Sequence, residues 1–286
     1  MGKETILYYV TKESVTGQKD AVESSFWKRL RESRLLDTFV AEDEENTIIT
    51  VLVPMKQKEW KKEKLLRLMQ SSVTRQPLYL GDAEVVIHPQ IQQALEQTEQ
   101  FPRIFWSISE KLLTQKLHTQ KPHTGYGTKK RLPAYSGSVA ESVVLLLSDS
   151  IFPEEQIQRF SEMMQPYFPG INHLTILCEL EDRWKEILED YADELYYEYG
   201  LVCQIQQGGN IKLKKQPLFL DFGYGDLLPL RTLQEGGIYL DVDSSEKKEM
   251  LIRQKCTGIS YLSPRKYLDT VVKSGYDKLV KKGEHK

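Results

Sequence analysis

Cysteine is scarce in this chain: three in 286 residues, Cys178, Cys203 and Cys256. Their number is odd and none lies in a CxxC or similarly close spacing, which excludes a disulfide framework and the common cysteine-based zinc sites. Histidine is nearly as rare. His88, His118, His123, His173 and His285 include no HExxH pair, and His118 and His123 stand five apart, not at helical ligand spacing. No metal centre is therefore expected. The glycine-rich phosphate loops are missing too: there is no GxxxxGK[ST] and no complete GxGxxG, and no GxSxG elbow marks a serine nucleophile.

Long apolar runs are absent as well. Thr5–Val10 (TILYYV) is too short for the core of a secretory leader, and position 6 is Ile, not the Ser or Thr of a myristoylation signal. Nothing approaches the roughly 18 apolar residues of a membrane span. Charge of one sign is lacking: the net charge is −2, with 40% hydrophobic and 28% charged residues. These absences point to a reduced, cytoplasmic protein without a membrane partner. The charge is unevenly spread, with 21 Lys/Arg against 17 Asp/Glu in residues 1–140 and 18 against 24 in residues 141–286. Basic clusters stand at Lys58, Lys61, Lys62, Lys64 and Arg67, and again at Lys129-Lys130-Arg131. Without interleaved aromatics and with only +4 over the half, nucleic acid is not the expected partner.

What is present divides in two. Residues 1–114 read as an α+β domain. Strands are expected at Thr5–Val10, Asp37–Val40, Thr47–Val53, Leu78–Leu80 and Glu84–Ile87, and helices over Ala21–Leu36, around Trp60–Met69 and after Pro89 and Pro102. No strand–helix–strand alternation of parallel type is evident there. Residues 115–140 hold glycines, prolines and basic side chains with few aliphatics, the texture of a linker or lid.

From residue 141 the texture changes. VVLLLSD is a continuous aliphatic strand of the kind covered on both faces. It is followed by alternating helices and strands: HLTILC, a clear amphipathic helix over 181–199 stopped by Gly200, then Leu201–Ile205, Leu218–Leu220, Ile238–Val242 and Ile259–Leu262. A helix after Ser245 should turn Met250 and Leu251 inward, and a last one after Pro264 should bury Leu268, Val271, Val272 and Leu279. The fold class expected for 141–286 is a doubly wound, mostly parallel, Rossmann-like α/β domain.

In such a sheet, ligands bind beyond the carboxyl ends of the strands, where the strand order reverses. The residues leaving those ends are the candidates: Asp149 and Ser150 after the first strand, Asp221, Gly223, Tyr224 and Gly225 after the fourth, Asp243 and Ser244 after the fifth. Carboxylates there can accept from sugar hydroxyls or hold a hard cation, and Tyr224 can stack or donate a proton. Equally, Asp and Ser before helices serve as caps for orphan amides. Gly223-Tyr224-Gly225 begins a dinucleotide fingerprint, but Leu228 stands where its third glycine belongs. Glu189 and Asp193 pair at i, i+4 on an acidic helix with no histidine beside them, the mark of a solvated face. Cys178 beside Glu179 is better suited to packing than to attack.

Two expectations of different class follow. One is a small-molecule or nucleotide-like ligand on that rim, with the reaction and cofactor unspecified. The other is a non-catalytic regulatory or assembly module on a degenerate Rossmann-like scaffold, its rim carboxylates serving as caps.

Overall fold

The computed structural model describes residues 3–11, 14–15, 37–53, 62–74, 83–96, 102–119, 142–148, 152–178, 182–207, 216–223 and 233–283. The expected helix over 21–36, the strand at 78–80 and most of the 115–140 linker lie outside these residues. The chain packs as two compact units, Met1–Ile104 with Tyr267–Lys286, and Phe105–Lys266. Among the described residues no helix is long and apolar enough to cross a membrane.

The first unit is built on a four-stranded sheet of order β2-β3-β1-β4, from β1 (Glu4–Thr11), β2 (Asp37–Glu42), β3 (Asn46–Val53) and β4 (Glu84–Ile87). β1 is parallel to both β3 and β4, whereas β2 runs antiparallel to β3. The sheet is therefore mixed, with two parallel pairs in a half whose sequence shows no clear strand–helix–strand alternation. The acidic run between β2 and β3 is a hairpin turn. The Asp43 carboxylate accepts the amides of Glu45 at 2.7 Å and Asn46 at 2.6 Å, an Asx-type closure. Leu65 and Met69 of α1 (Lys62–Thr74) and Ile91 and Leu95 of α2 (Pro89–Leu95) cover Leu7, Tyr9, Ile49 and Val51.

Residues 267–283 belong to this unit, as the larger part of α7 (Pro264–Gly283). Leu268 and Val272 are fully buried. Tyr8 donates to Asp269 at 2.6 Å, and Tyr267 donates to Asp43 at 2.7 Å. Gly275 lets the helix lie on β2: a Cβ there would stand 2.9 Å from that of Ala41. Leu279, expected inward, is half exposed and lines an open groove of about 690 Å³ with Val40.

The second unit holds the six-stranded sheet: β5 (Ser142–Leu146), β6 (His173–Cys178), β7 (Val202–Gln207), β8 (Gln216–Asp221), β9 (Leu233–Asp241) and β10 (Ser260–Leu262). The order is β10-β9-β8-β5-β6-β7 and every neighbouring pair is parallel. With α3 (Ile104–Thr119), α4 (Pro153–Met164), α5 (Asp182–Tyr199) and α6 (Glu246–Lys255), this is the Rossmann-like α/β class that the alternation predicts. Val143 to Leu147 are all essentially inaccessible, as a strand covered on both faces requires.

Helix α5 buries Trp184, Leu188, Tyr191 and Leu195 at i, i+4, i+7 and i+11. It ends at Gly200 (φ 68), where the amides of Gly200 and Leu201 reach back to the carbonyls of Tyr196 and Leu195. Helix α6 departs from expectation: Met250 is 60% exposed and Ile252 is the buried residue. The reason lies in the site described next.

Candidate functional site

Counting strands from β5, the sheet runs 6-5-4-1-2-3, so the order reverses between β5 and β8. That reversal is the switch point at which open α/β sheets hold their ligands. Asp221 stands at the end of β8, directly paired across the sheet with Leu146 of β5 on one side and Asp241 of β9 on the other.

The face below these residues is aromatic. Phe219, Tyr239 and Tyr261 occupy matching positions on β8, β9 and β10. Their rings stack in a row with centroids 5.9 and 6.2 Å apart and planes inclined by 11° and 17°. Each stacked pair adds about 0.5–1.5 kcal/mol beyond its area. Two residues further along lie the carboxylates, and each tyrosine reaches diagonally to the one on the adjacent strand. Tyr239 donates to Asp221, and Tyr261 donates to Asp241 at 2.7 Å. Both aspartates are fully buried.

Asp221 also accepts the amide of Gly223 at 2.9 Å and faces the Lys248 ammonium at 2.8 Å. The lysine approaches off the hydrogen-bonding directions, so this is a contact ion pair without an aligned hydrogen bond. Asp241 spends its oxygens differently. Oδ1 accepts the Ser244 amide at 3.0 Å, and Oδ2 accepts the Ser245 amide at 2.9 Å beside the Tyr261 hydroxyl. Ser244 is thereby held at φ 62, a left-handed conformation uncommon for a residue with a side chain.

Burial and the Asp221 charge push Asp241 up to about 7, against the pull of Lys248 and Tyr261. Burial would lower Lys248, but Asp221 and Asp241 more than offset this and raise it. Tyr239 and Tyr261 are held well above their ordinary range, chiefly by burial and then by the neighbouring carboxylates. They stay protonated and act as donors.

The outer rim is formed by three strand ends. Gly223 has φ 96, and a Cβ on it would lie 3.2 Å from Cβ and Oγ of Ser148 and 3.8 Å from Cβ of Asp243. Ser148 and Asp243 therefore both border the space that a side chain on Gly223 would fill. The Ser148 backbone is fixed from below: its amide donates to Gln156 Oε1 at 2.9 Å, and Gln156 Nε2 donates to its carbonyl at 2.7 Å. Gln156 is completely buried. The helix that would receive a pyrophosphate, α4, carries Glu154 and Glu155 in its first turn. That arrangement repels phosphate where the dipole would otherwise attract it. Phe222 points elsewhere, edge-on to Trp106 at 4.7 Å.

Of the sequence candidates, Asp221, Gly223, Asp243 and Ser244 come together here. Asp149, Ser150, Tyr224 and Gly225 lie outside the described residues. Asp241, within the fifth expected strand, joins the residues that come together, whereas Tyr239, Tyr261, Lys248 and Gln156 were not among the candidates. Lys248 carried a signal, because a cation in a helix's first turn opposes the helix dipole and calls for an anion beneath it. The tyrosines carried none, since their reach across strands depends on the strand order. Lys248 also explains Met250. With Lys248 turned down to Asp221, Ile252 four residues on shares its face and Met250 does not.

Among the described residues no three His, Cys, Asp or Glu side chains are grouped to hold a metal ion. No known family model matches the chain, and no curated protein matches it.

Proposed function

We propose that the second unit binds a small polar ligand, nucleoside-like in size and without a pyrophosphate, at the carboxyl ends of β5, β8 and β9. The observation that carries this reading is the convergence of Ser148, Gly223 and Asp243 at the reversal of strand order. The first offers a hydroxyl, the second a backbone that no side chain screens, and the third a carboxylate. Below them lies a buried ion pair that stability alone does not favour, since a well-packed apolar replacement is often as stable. Glu154, Glu155 and the Gln156 clamp argue against a dinucleotide bound through its phosphates. A ribose or an amine bound through hydroxyls and carboxylates suits the rim better. The free cysteines support a cytosolic setting.

The test is thermal shift and calorimetry with adenosine, S-adenosylmethionine, NAD and Mg²⁺. At a hundred times its dissociation constant, a nucleoside ligand stabilises the folded unit by about 2.7 kcal/mol. Asp243→Asn should remove that gain, and NAD should give none. The absence of a shift with every probe would overturn the reading.

A second reading has an observation of its own. Asp221 and Asp241 direct their oxygens to Tyr239, Lys248, Tyr261 and three backbone amides, as caps and struts do. A regulatory or assembly module on this scaffold would ignore all four probes and keep its function in Asp243→Asn.

A further inference from the structure

We propose that the groove between α4 and α5 docks a cationic amphipathic helix of a partner protein. The groove measures about 440 Å³ and lies wholly within the second unit. Its floor is apolar: Ile157 and Tyr191 are buried and Ile187 is half-buried. Its rims are acidic on both sides, with Glu154 on α4 and Asp190 and Glu194 on α5, all exposed. An apolar trough between two acidic edges is the complement of an apolar helical stripe flanked on both sides by lysine or arginine.

The walls have the period and the rigidity that such a partner needs. On α4 the lining residues run from Glu154 to Ser161 and on α5 from Ile187 to Glu194, each set at i, i+3, i+4 and i+7. Two helical turns therefore line each side, and the groove runs for about 10 Å. The Ser161 and Tyr191 hydroxyls are bonded at 2.6 Å and tie the two helices together, while the Tyr191 ring stands edge-on to Phe160. The floor is thus fixed before anything docks, which lowers the cost of association. Tyr197 extends the α5 wall, seven residues on from Asp190, and is 84% exposed. A tyrosine left in water beside a groove is an anchor of the kind in which interfaces are enriched.

Charge names the partner. Neighbouring acids pair on their own helices, Glu162 with Arg159 at 3.0 Å and Glu189 with Lys185 at 3.8 Å. Among the described residues, the three carboxylates that face the groove have no ion pair. Helices α4 and α5 together carry ten Asp/Glu against three Lys/Arg, a net −7. That field repels nucleic acid and steers a cationic surface inward. Lysine and arginine also suit the floor, because their methylene stems cover apolar surface while their heads reach the rim. A second copy of the chain offers no such helix among the described residues. The basic helices α1 and α7 bury Leu65, Met69, Leu268 and Val272 within their own unit.

The test is calorimetry of the full chain at about 0.15 M salt, where long-range attraction between exposed charges is screened. The probe is a synthetic amphipathic helix of about fourteen residues, roughly four turns, with leucine on one face and lysine along both flanks. A scrambled peptide of the same composition and spermidine are the controls. The amphipathic peptide should bind, and the double variant Asp190→Lys, Glu194→Lys should weaken it by on the order of tenfold. Ile187→Asn should weaken it by a similar factor, on the order of tenfold, through the floor. Both residues of the double variant are exposed, so its fold is not at stake. No binding, or an affinity that the double variant leaves unmoved, would overturn the proposal. Equal binding of the scrambled peptide would overturn it by reducing the groove to undirected charge attraction. Displacement of the peptide by an equal concentration of spermidine would assign the groove to a small cation instead. Self-association of the chain in sedimentation, lost in Ile187→Asn, would assign it to a second copy, and either result overturns the proposal. None of these readouts needs a ligand at the rim.

Discussion

A single buried carboxyl leaves a signature on stability that can be given a sign. Asp241 is raised from 3.8 to about 7 on folding, chiefly by burial and then by Asp221. The native state therefore holds a proton that the unfolded chain has lost, and stability falls as pH rises between those values. The loss runs at up to about 1.4 kcal/mol per pH unit and levels off near neutrality. Lys248 is raised as well, which adds stability lost only far above this range. Asp43 and Glu249 are lowered, despite burial, by their hydrogen bonds, so their contributions disappear only in acid. Urea unfolding followed by tryptophan fluorescence between pH 4.5 and 7.5 should show native stability declining with pH. In Asp241→Asn that decline should vanish. At this scale the sequence was legible only in part. Asp221, Gly223, Asp243 and Ser244 could be named because they follow strands. Asp241 reads as the last residue of a strand and its role as a cap, but no spacing reveals that Tyr239 and Tyr261 each cross to the next strand's carboxylate.

Elements were the most readable level, and their errors have definite causes. LFLD and IYLD announce buried strands, and the i, i+4, i+7 pattern of Trp184, Leu188 and Tyr191 announces α5. Helix α6 was turned wrongly because its apolar residues are too few to fix a face, and the ion pair of Lys248 sets the rotation instead. The parallel pairs of the first sheet could not be read because parallel strands are distant in sequence, so local pattern cannot pair them. Leu279 fits the helical stripe of Leu268 and Val272, yet it stays half exposed because it lines an open groove beside Val40. Gly275 marks where helix and strand come closest. Alanine would favour the helix by up to about 1 kcal/mol on propensity, but its methyl would press on Ala41 at 2.9 Å, against a strand that has little room to give. Gly275→Ala should therefore destabilise the first unit by about 1–3 kcal/mol. Chemical denaturation followed by hydrogen exchange in β2 measures this, and an increase in stability would show that the helix can lift off.

For the whole molecule the informative fact is that the first unit is assembled from both ends of the described chain. Leu268 and Val272 are buried in it, and Asp269 and Tyr267 bond to Tyr8 and Asp43. A chain ending at Lys266 would expose the apolar surface under that helix. It should lose protection across β1 to β3 while Trp106 and Trp184 keep their buried environment. Hydrogen exchange and near-ultraviolet dichroism on the shortened chain give the two readings. Such discontinuity is invisible in composition, which changes near residue 140. It is set by where a helix beginning at Pro264 comes to rest.

That helix also orders events in time. Residues 1–104 leave the ribosome first, but the strands they form wait for a partner encoded after 162 intervening residues. At ~5–20 residues per second the delay is on the order of ten to thirty seconds. Over this interval the second unit can complete its own sheet while β2, with Val40 outward, stays uncovered by its helix. The unit translated first is thus the one finished last, and nascent-chain lengths between 105 and 266 are those at which a chaperone has most to hold.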